Sequence, residues 1–416
     1  MLALEPEAAA LYCKHLQLQL TRSEDGGAST APFAPGHRFL LMDLGGGTAD
    51  MIAYEVLESG NLRQLTEPDG GAWGGILVDE AFWSLLKEHY GNEVINNFTI
   101  EERSDYLEMQ RHFELKKRSI SLRNTQETRL QLRSSLAKTY KKVFGVKLKS
   151  DMIHSGDGIS YNKHKLELSH EVSLKIFAKP KDELIDFVKS RYFDDGNRYK
   201  LNAIVMVGGF SESKIMKEEM EEVFTEQVIK VINPTEASLA VVKGAVLYGH
   251  NYREDRKIDG RILPHSYGIS IREPFDETIH PIAKRIWCRY TQRFVAEDVF
   301  KCLMEKGKCV IQGETSSEQT CRAWYYGKNK ATIELYKSKS TNPRFVTDDL
   351  KVAIIECVIP NLKDLGYILI DIKMYFDDID MLPKVKAKSH DSGDPIETII
   401  HYLVPKRPLR TLVCDP

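Results

Sequence analysis

Two carboxylates bracket a run of three glycines in Asp43-Leu44-Gly45-Gly46-Gly47-Thr48-Ala49-Asp50. These residue types suit phosphate chemistry. Glycine N–H groups can converge on one anion because no Cβ blocks the approach and positive φ is open to each. The Thr48 hydroxyl can donate to a phosphate oxygen, and Asp43 and Asp50 can hold a hydrated Mg²⁺ or orient a water. The same residues also make a tight turn that binds nothing, and the loop's composition leaves both open. Its flanks fix the setting: Phe39-Leu40-Leu41-Met42 is an apolar run and Met51-Ile52-Ala53-Tyr54-Glu55-Val56 continues as a strand, which predicts a hairpin. A dinucleotide fingerprint needs another glycine and a helix behind it, and a P-loop needs Gly-Lys-Ser/Thr; the stretch has neither.

Three other stretches carry chemistry. Ala203-Ile204-Val205-Met206-Val207 reads as a buried strand running into Gly208-Gly209, and Met216, Met220 and Phe224 mark a helix that Ser211 or Ser213 can cap. A strand, Gly-Gly and helix in succession let a flat ligand reach backbone at the carboxyl end of a sheet. Asp69-Gly70-Gly71-Ala72-Trp73-Gly74-Gly75 precedes a helix containing Val78, Phe82, Leu85 and Leu86, with Asp79 in its first turn; Gly74 and Gly75 suit close backbone approach. Between Ile100 and Ser121 one charged helix is expected, with Glu114, Lys117, Arg118 and Ser121 along a single face. That stripe is either a solvated face or a polar clamp for a ribose and a base edge.

Around these stretches the chain opens with helix formers from Glu5-Pro6 onward, and Thr21 to His37 is a loop rich in Ser, Gly, Ala and Pro. Lys147 to Lys165 is polar and irregular, and the helical period of Leu174 to Tyr192 is expected to break or kink at Pro180. Asn233-Pro234-Thr235-Glu236 has the form of a capping box ahead of Leu239, Val242 and Val246. Beyond Gly249 a polar stretch leads into period-two patterns, clearest in Ile368, Ile370, Ile372, Met374 and Phe376. The expected division is a helical piece at 1–20, a loop at 21–37, an α/β lobe at 38–250, a linker at 251–261 and a β domain at 262–416.

At 416 residues and a net charge of -2 the chain lacks the basic excess of a nucleic-acid binder. No stretch has the length of a membrane span, and seven scattered cysteines without a Cys-x-x-Cys pair signal neither a disulfide framework nor a zinc site. A cytoplasmic protein is the expectation.

In order and spacing, the stretch from Asp43 to Asp50 resembles the second phosphate loop of the actin, sugar-kinase and heat shock 70 kDa superfamily, and Val207-Gly208-Gly209 resembles its adenosine motif. Glu5-Pro6-Glu7-Ala8-Ala9-Ala10 is similar to the crossing helix of the heat shock 70 kDa family. Gly74-Gly75 with Asp79, and Glu114, Lys117, Arg118 and Ser121, match further parts of its nucleoside site. Phe210-Ser211-Glu212 after the glycines is most like the divergent 12A/12B group. The resemblance implies an actin-like ATPase lobe, a mixed sheet flanked by helices, followed by a mainly antiparallel β-sandwich-like domain.

It further implies ATP or ADP with Mg²⁺ as cofactors and a peptide or protein client at the β domain. Gly45, Gly46, Gly47 and Thr48 would contact phosphates. Asp43 and Asp50 would organise Mg²⁺ through water, and Glu5 would face that water. Glu114, Lys117, Arg118, Ser121, Gly208 and Gly209 would hold the nucleoside. With four residues ahead of Glu5, the family's first phosphate loop and catalytic lysine are expected to be missing from the chain as read. Phe210 and Glu212 replace small and basic residues, Thr235 stands where an aspartate is usual, the linker lacks the apolar coupling segment, and no helical lid is expected. An ATP-binding chaperone-like protein with weak or no hydrolysis is therefore expected, with a non-catalytic scaffold as the alternative. A sugar-kinase-like phosphotransferase would leave the β domain unexplained.

Overall fold

Apolar runs flanking the triple glycine form the centre of the first sheet. Strands β1 (Arg38–Leu44) and β2 (Ala49–Val56) pair antiparallel, Asp43 opposite Asp50 and Leu44 opposite Ala49, which makes the glycine loop a hairpin turn. The computed structural model describes residues 4–23, 33–148, 158–162, 165–194, 196–225, 229–250, 258–311, 316, 318–325, 330–346, 351–358, 367–376, 383–390, 394–396 and 398–402. It divides into two units at Ile258/Asp259.

In the first unit β3 (Leu62–Gln64) and β4 (Asp69–Gly71) lie against β2, while β8 (Ala203–Val207) and β9 (Lys230–Ile232) extend the sheet in parallel on the β1 side. The order is β3-β2-β1-β8-β9. Every residue of β8 is buried, as expected of a strand covered on both faces. The two cores divide by alternation. Leu40, Met42, Ile204 and Met206 pack with Phe82, Phe98, Phe113, Met216 and Phe224; Phe39, Leu41, Val205 and Val207 pack with Ala9, Leu11 and Ala240.

The first face carries α2 (Ile76–Tyr90), α3 (Asn92–Glu101), α4 (Arg103–Lys117) and α8 (Lys214–Thr225). The second carries α1 (Glu5–Ser23) and α9 (Ala240–His250). Between α4 and β8 come β5 (Thr128–Gln131), α5 (Ser134–Phe144), β6 (Ile159–Asn162), β7 (Lys165–Leu168), α6 (His170–Lys175) and α7 (Ala178–Val188), with the three strands forming a small separate sheet.

Local expectations needed correction at three places, and a fourth was met. The helix expected from Ile100 to Ser121 is two, broken at Glu102, and the second ends at Lys117. The break expected at Pro180 falls just ahead of it, between α6, which ends at Lys175, and α7, which begins at Ala178, so that Pro180 sits in a first turn with no intrahelical N–H to lose. Strand β6 lies within the stretch expected to be irregular, of which residues 149–157 and 163–164 fall outside the described residues. Asn233 does not cap a helix. Its amide donates to the Met206 carbonyl and the Ser211 hydroxyl, both at 3.0 Å, and Glu236 takes φ 58° before a 3-10 turn. The 251–257 part of the expected linker, and most of the loop at 21–37, also lie outside the described residues.

The second unit, among its described residues, is antiparallel β. It comprises β10 (Ile258–Ile262), β11 (Ser266–Pro274), β12 (Arg285–Cys288), β13 (Arg293–Met304), β14 (Cys309–Ile311), β15 (Gln319–Tyr325), β16 (Lys330–Ser338), β17 (Lys351–Val358), β18 (Tyr367–Phe376), β19 (Pro383–Ser389) and β20 (Thr398–Tyr402). The main sheet runs β12-β13-β11-β16-β15-β18-β19, with β17 pairing both β16 and β20. Ile370, Ile372 and Met374 face its core as the alternation predicts. Asp371, on the other face, is nevertheless buried, where Thr320 donates to it at 2.6 Å and His390 lies 2.9 Å away. The turn expected at Ser389–Gly393 lies partly outside the described residues.

Candidate functional site

The hairpin loop is tied down through its carbonyls. The Gly45 N–H closes the turn on the Thr48 carbonyl at 2.9 Å, the Gly75 N–H donates to the Gly45 carbonyl at 3.2 Å and the Ile76 N–H to the Gly46 carbonyl at 2.8 Å. The start of α2 thereby satisfies orphan helix donors on the hairpin. A Cβ on Gly74 would stand 2.3 Å from the Gly46 carbonyl oxygen, so this seat requires glycine. None of Gly45, Gly46 and Gly47 uses positive φ, contrary to the conformational role expected of them. Gly46, Gly47 and Thr48 are exposed, and a Cβ on Gly46 or Gly47 would meet nothing within 4 Å. The Thr48 hydroxyl donates to the Asp50 carboxylate at 3.0 Å.

Beside this loop, β8 ends in parallel with β1, Asp43 next to Val207. Gly208 has φ 86°, and a Cβ there would stand 2.4 Å from Asp43 Oδ1 and 2.5 Å from the Leu44 carbonyl oxygen. Glycine is needed twice over, for the left-handed backbone and for the contact. Burial, then the negative charges of Glu5 at the start of α1 and of Asp50, push the Asp43 carboxyl up to about 6. The two carboxylates that bracket the glycine loop and the Glu5 that the family resemblance implied thus act on one another electrostatically. Among the described residues no group of three or more His, Cys, Asp or Glu is arranged to hold a metal. Their chemistry still fits Mg²⁺, which takes one or two carboxylates, waters and phosphate oxygens in preference to an all-protein cage.

Between the hairpin, α2, the end of α4 and the turn after β8 lies an open cleft of about 200 Å³. It is lined by Gly45, Gly46, Gly75, Asp79, Glu114, Lys117, Arg118 and Gly209, together with Ile76, Phe210 and Ser213. This is smaller than the roughly 300–1,000 Å³ of pockets that enclose a whole ligand, so a molecule of that size would be only partly enclosed by its walls.

The cations on the wall are already engaged. Lys117 is buried, its ammonium 2.8 and 2.9 Å from the two Asp79 oxygens, 3.3 Å from the Gly75 carbonyl and 2.5 Å from Glu114. An ammonium has three N–H donors, so these acceptors exhaust it, and Lys117 is a strut within the cleft wall. Burial pushes the Asp79 carboxyl up, with Lys117 opposing it. Arg118 pairs with Glu114 at 3.1 Å and reaches Glu212 at 3.3 Å, linking α4 to the turn after β8. Hydrogen bonds from Ser238 and the charge of Arg118 hold Glu212 below the usual carboxylate range.

Ser121 is not brought to the cleft. It lies past the end of α4, buried, with its hydroxyl donating to the Glu218 carboxylate at 2.8 Å. Ser211 does not cap α8 either, because its hydroxyl donates to the Gly208 carbonyl at 2.7 Å. The Ser213 hydroxyl, which sequence offered as the other cap, has no hydrogen-bond partner among the described residues and is buried where the residue lines the cleft. Ile76 as a wall residue carried no signal in the sequence beyond following Gly75.

Human heat shock 70 kDa protein 12A is 24% identical over 89% of this chain and 58% of its own length, and human heat shock 70 kDa protein 12B is 25% identical over 84% and 56%. Chaperone protein DnaK of Thermotoga maritima is 22% identical over 62% of this chain and 40% of its own length. No family model matches. The chain spans somewhat over half the length of the first two relatives.

Proposed function

Because the chain is a relative of the heat shock 70 kDa proteins of the 12A and 12B type, with the actin-like ATPase fold and β domain of that kinship, we propose that its cleft binds an adenine nucleotide and that the protein works as a cytoplasmic, chaperone-like nucleotide-binding protein. The observation that carries this is the convergence of two glycine motifs, more than 160 positions apart in the chain, on one cleft: Gly45 and Gly46 on one wall and Gly209 on another. The exposed tip at Gly46, Gly47 and Thr48 is where phosphates would lie. Glu114 offers its oxygens to ribose hydroxyls, and the Arg118 guanidinium and the Phe210 ring offer planar surfaces for a base. Asp43 and Asp50, with Glu5 behind them, would hold Mg²⁺ through water, and the ion would supply positive charge to the phosphates. The β unit is then the place for a peptide or protein client.

Turnover is proposed to be slow. Phosphoryl transfer depends on cations positioned around the transferred group, and both cleft cations, Lys117 and Arg118, are matched by carboxylates. That pairing also favours the second reading, a non-catalytic interaction protein in which the nucleotide is structural. Calorimetry of Mg-ATP binding and a phosphate-release assay on the chain and on Asp43→Ala separate the two. Binding that requires Mg²⁺ and falls at least tenfold in the variant, with release near background, is the expected result. No binding with or without Mg²⁺ would sink the proposal, and binding with release well above background, lost in Asp43→Ala, would make the protein an enzyme.

A further inference from the structure

The second unit carries a surface that the cleft does not use. Strand β12 stands at one end of the main sheet and forms a hairpin with β13, Trp287 directly opposite Phe294 and Cys288 opposite Arg293. The Trp287 and Phe294 rings meet edge to face with centroids 5.0 Å apart, and the Arg285 guanidinium lies 3.8 Å over the Phe294 ring. None of this is core: Trp287 is 49% exposed, Phe294 44%, Tyr290 at the turn 56%, and Ile282, just before the strand, 80%.

Charge is as uneven as polarity here. From Lys284 to Phe294 there are four basic residues, Lys284, Arg285, Arg289 and Arg293, and no carboxylate. Lys284 is paired with Asp298 at 2.7 Å, but among the described residues Arg285, Arg289 and Arg293 have no ion-pair partner. The chain as a whole is slightly acidic. Exposed aromatics beside unpaired arginines, on a protein without a basic excess, mark a surface that meets something both apolar and anionic.

We propose that this hairpin docks on an anionic lipid surface, with the Trp287 and Phe294 rings at the boundary between headgroups and acyl chains and Arg285, Arg289 and Arg293 on lipid phosphates. Three features choose a bilayer over a protein. The apolar groups are rings and an isoleucine on a two-stranded hairpin, where a protein partner would need a matching pocket and a fluid interface does not. Tryptophan and tyrosine, amphipathic and rigid, are the side chains favoured at that depth. Arg285 already lies over the Phe294 ring, so the cation and the apolar face it accompanies enter the interface together, with the charge left at headgroup level. Attachment of this kind is peripheral, in keeping with a chain in which no described helix is long and apolar enough to span.

The test is co-sedimentation of the full chain with vesicles of phosphatidylcholine alone or containing about 30 mol % phosphatidylserine at low salt. Partition should be roughly tenfold or more greater on the anionic vesicles, and should fall by about that factor in Arg289→Glu/Arg293→Glu and in Trp287→Ala/Phe294→Ala. All four positions are exposed, so near-native circular dichroism and an unchanged melting curve are expected of both variants. Asp43→Ala, which alters the cleft, should bind vesicles as the unaltered chain does, so failure of the nucleotide proposal would leave this one standing. Equal partition onto both vesicle types, or anionic binding untouched by both double substitutions, would overturn it. So would a mass increase in sedimentation velocity that Trp287→Ala abolishes, which would assign the surface to a second copy, or retention on polyglutamate without vesicle binding, which would assign it to an acidic protein.

Discussion

Asp43 carries the least comfortable charge in the cleft region. Its carboxyl is held near 6 by burial and by Glu5 and Asp50, so above that pH the folded state keeps an anion that the unfolded chain would keep more cheaply. The folded protein binds the proton more tightly than the unfolded one between about pH 4 and 6, and stability therefore falls as pH rises through that window. Full burial would make the cost ~3 kcal/mol at neutral pH, and screening on the open side brings it nearer 1–2 kcal/mol. Asp43→Asn should accordingly be more stable than the unaltered chain at pH 7.5 by about that amount, with the advantage vanishing below pH 4. Urea unfolding at both pH values measures it. A variant equally or less stable at pH 7.5 would mean that the three carboxylates are not strained. The same strain is a physical motive for a divalent cation, and Mg²⁺ should raise the stability of the unaltered chain more than that of Asp43→Asn.

Elements were legible where one periodicity ran unopposed. The β1 hairpin and β8 followed from apolar runs ending in glycine, and α8 from Met216, Met220 and Phe224 at helical spacing. They became illegible where a tertiary partner outbid a local preference. Asn233 had a good capping sequence after it but is used to tie β8 to the following turn, and Ser121 shares the spacing of Glu114 and Lys117 but is spent on Glu218. The break at Glu102 has neither glycine nor proline to announce it, and β6, at four residues, is too short to show alternation.

Gly244 lies in α9 between Val242 and Val246. In the structure a Cβ there would stand 1.7 Å from the Ala8 carbonyl oxygen, so α1 and α9 meet backbone to side-chain-free backbone. Gly244→Ala should thus destabilise the first unit by more than about 2 kcal/mol, although alanine is the better helix former by ~1 kcal/mol. Since Glu5 heads α1, its effect on Asp43 should weaken too. A variant of unchanged or greater stability would show that the two helices can separate at little cost.

At the scale of the molecule, every lining residue of the cleft belongs to the unit ending at Ile258, and that unit has cores of its own. The β unit has a separate core built from β11 to β19. Nucleotide that binds only the folded first unit stabilises it by mass action, about 2.7 kcal/mol at a hundredfold excess over Kd. Whether the effect travels to the β unit depends on what joins them. In sequence the stretch just ahead of β10, Tyr252 to Lys257, is Tyr-Arg-Glu-Asp-Arg-Lys, in which charge dominates. An apolar connector could change burial between two states of the molecule and so transmit a preference; a sequence of charged residues has less apolar area with which to do so. Hydrogen exchange with and without saturating Mg-ATP should therefore show added protection in β1, β2, α2 and β8 and none in β16 to β18. Residues 1–258 expressed alone should bind Mg-ATP with a Kd within about threefold of the full chain. Protection that rises or falls in the β strands on adding nucleotide would mean that the charged join does couple the units, and that Mg-ATP controls whatever the β unit binds.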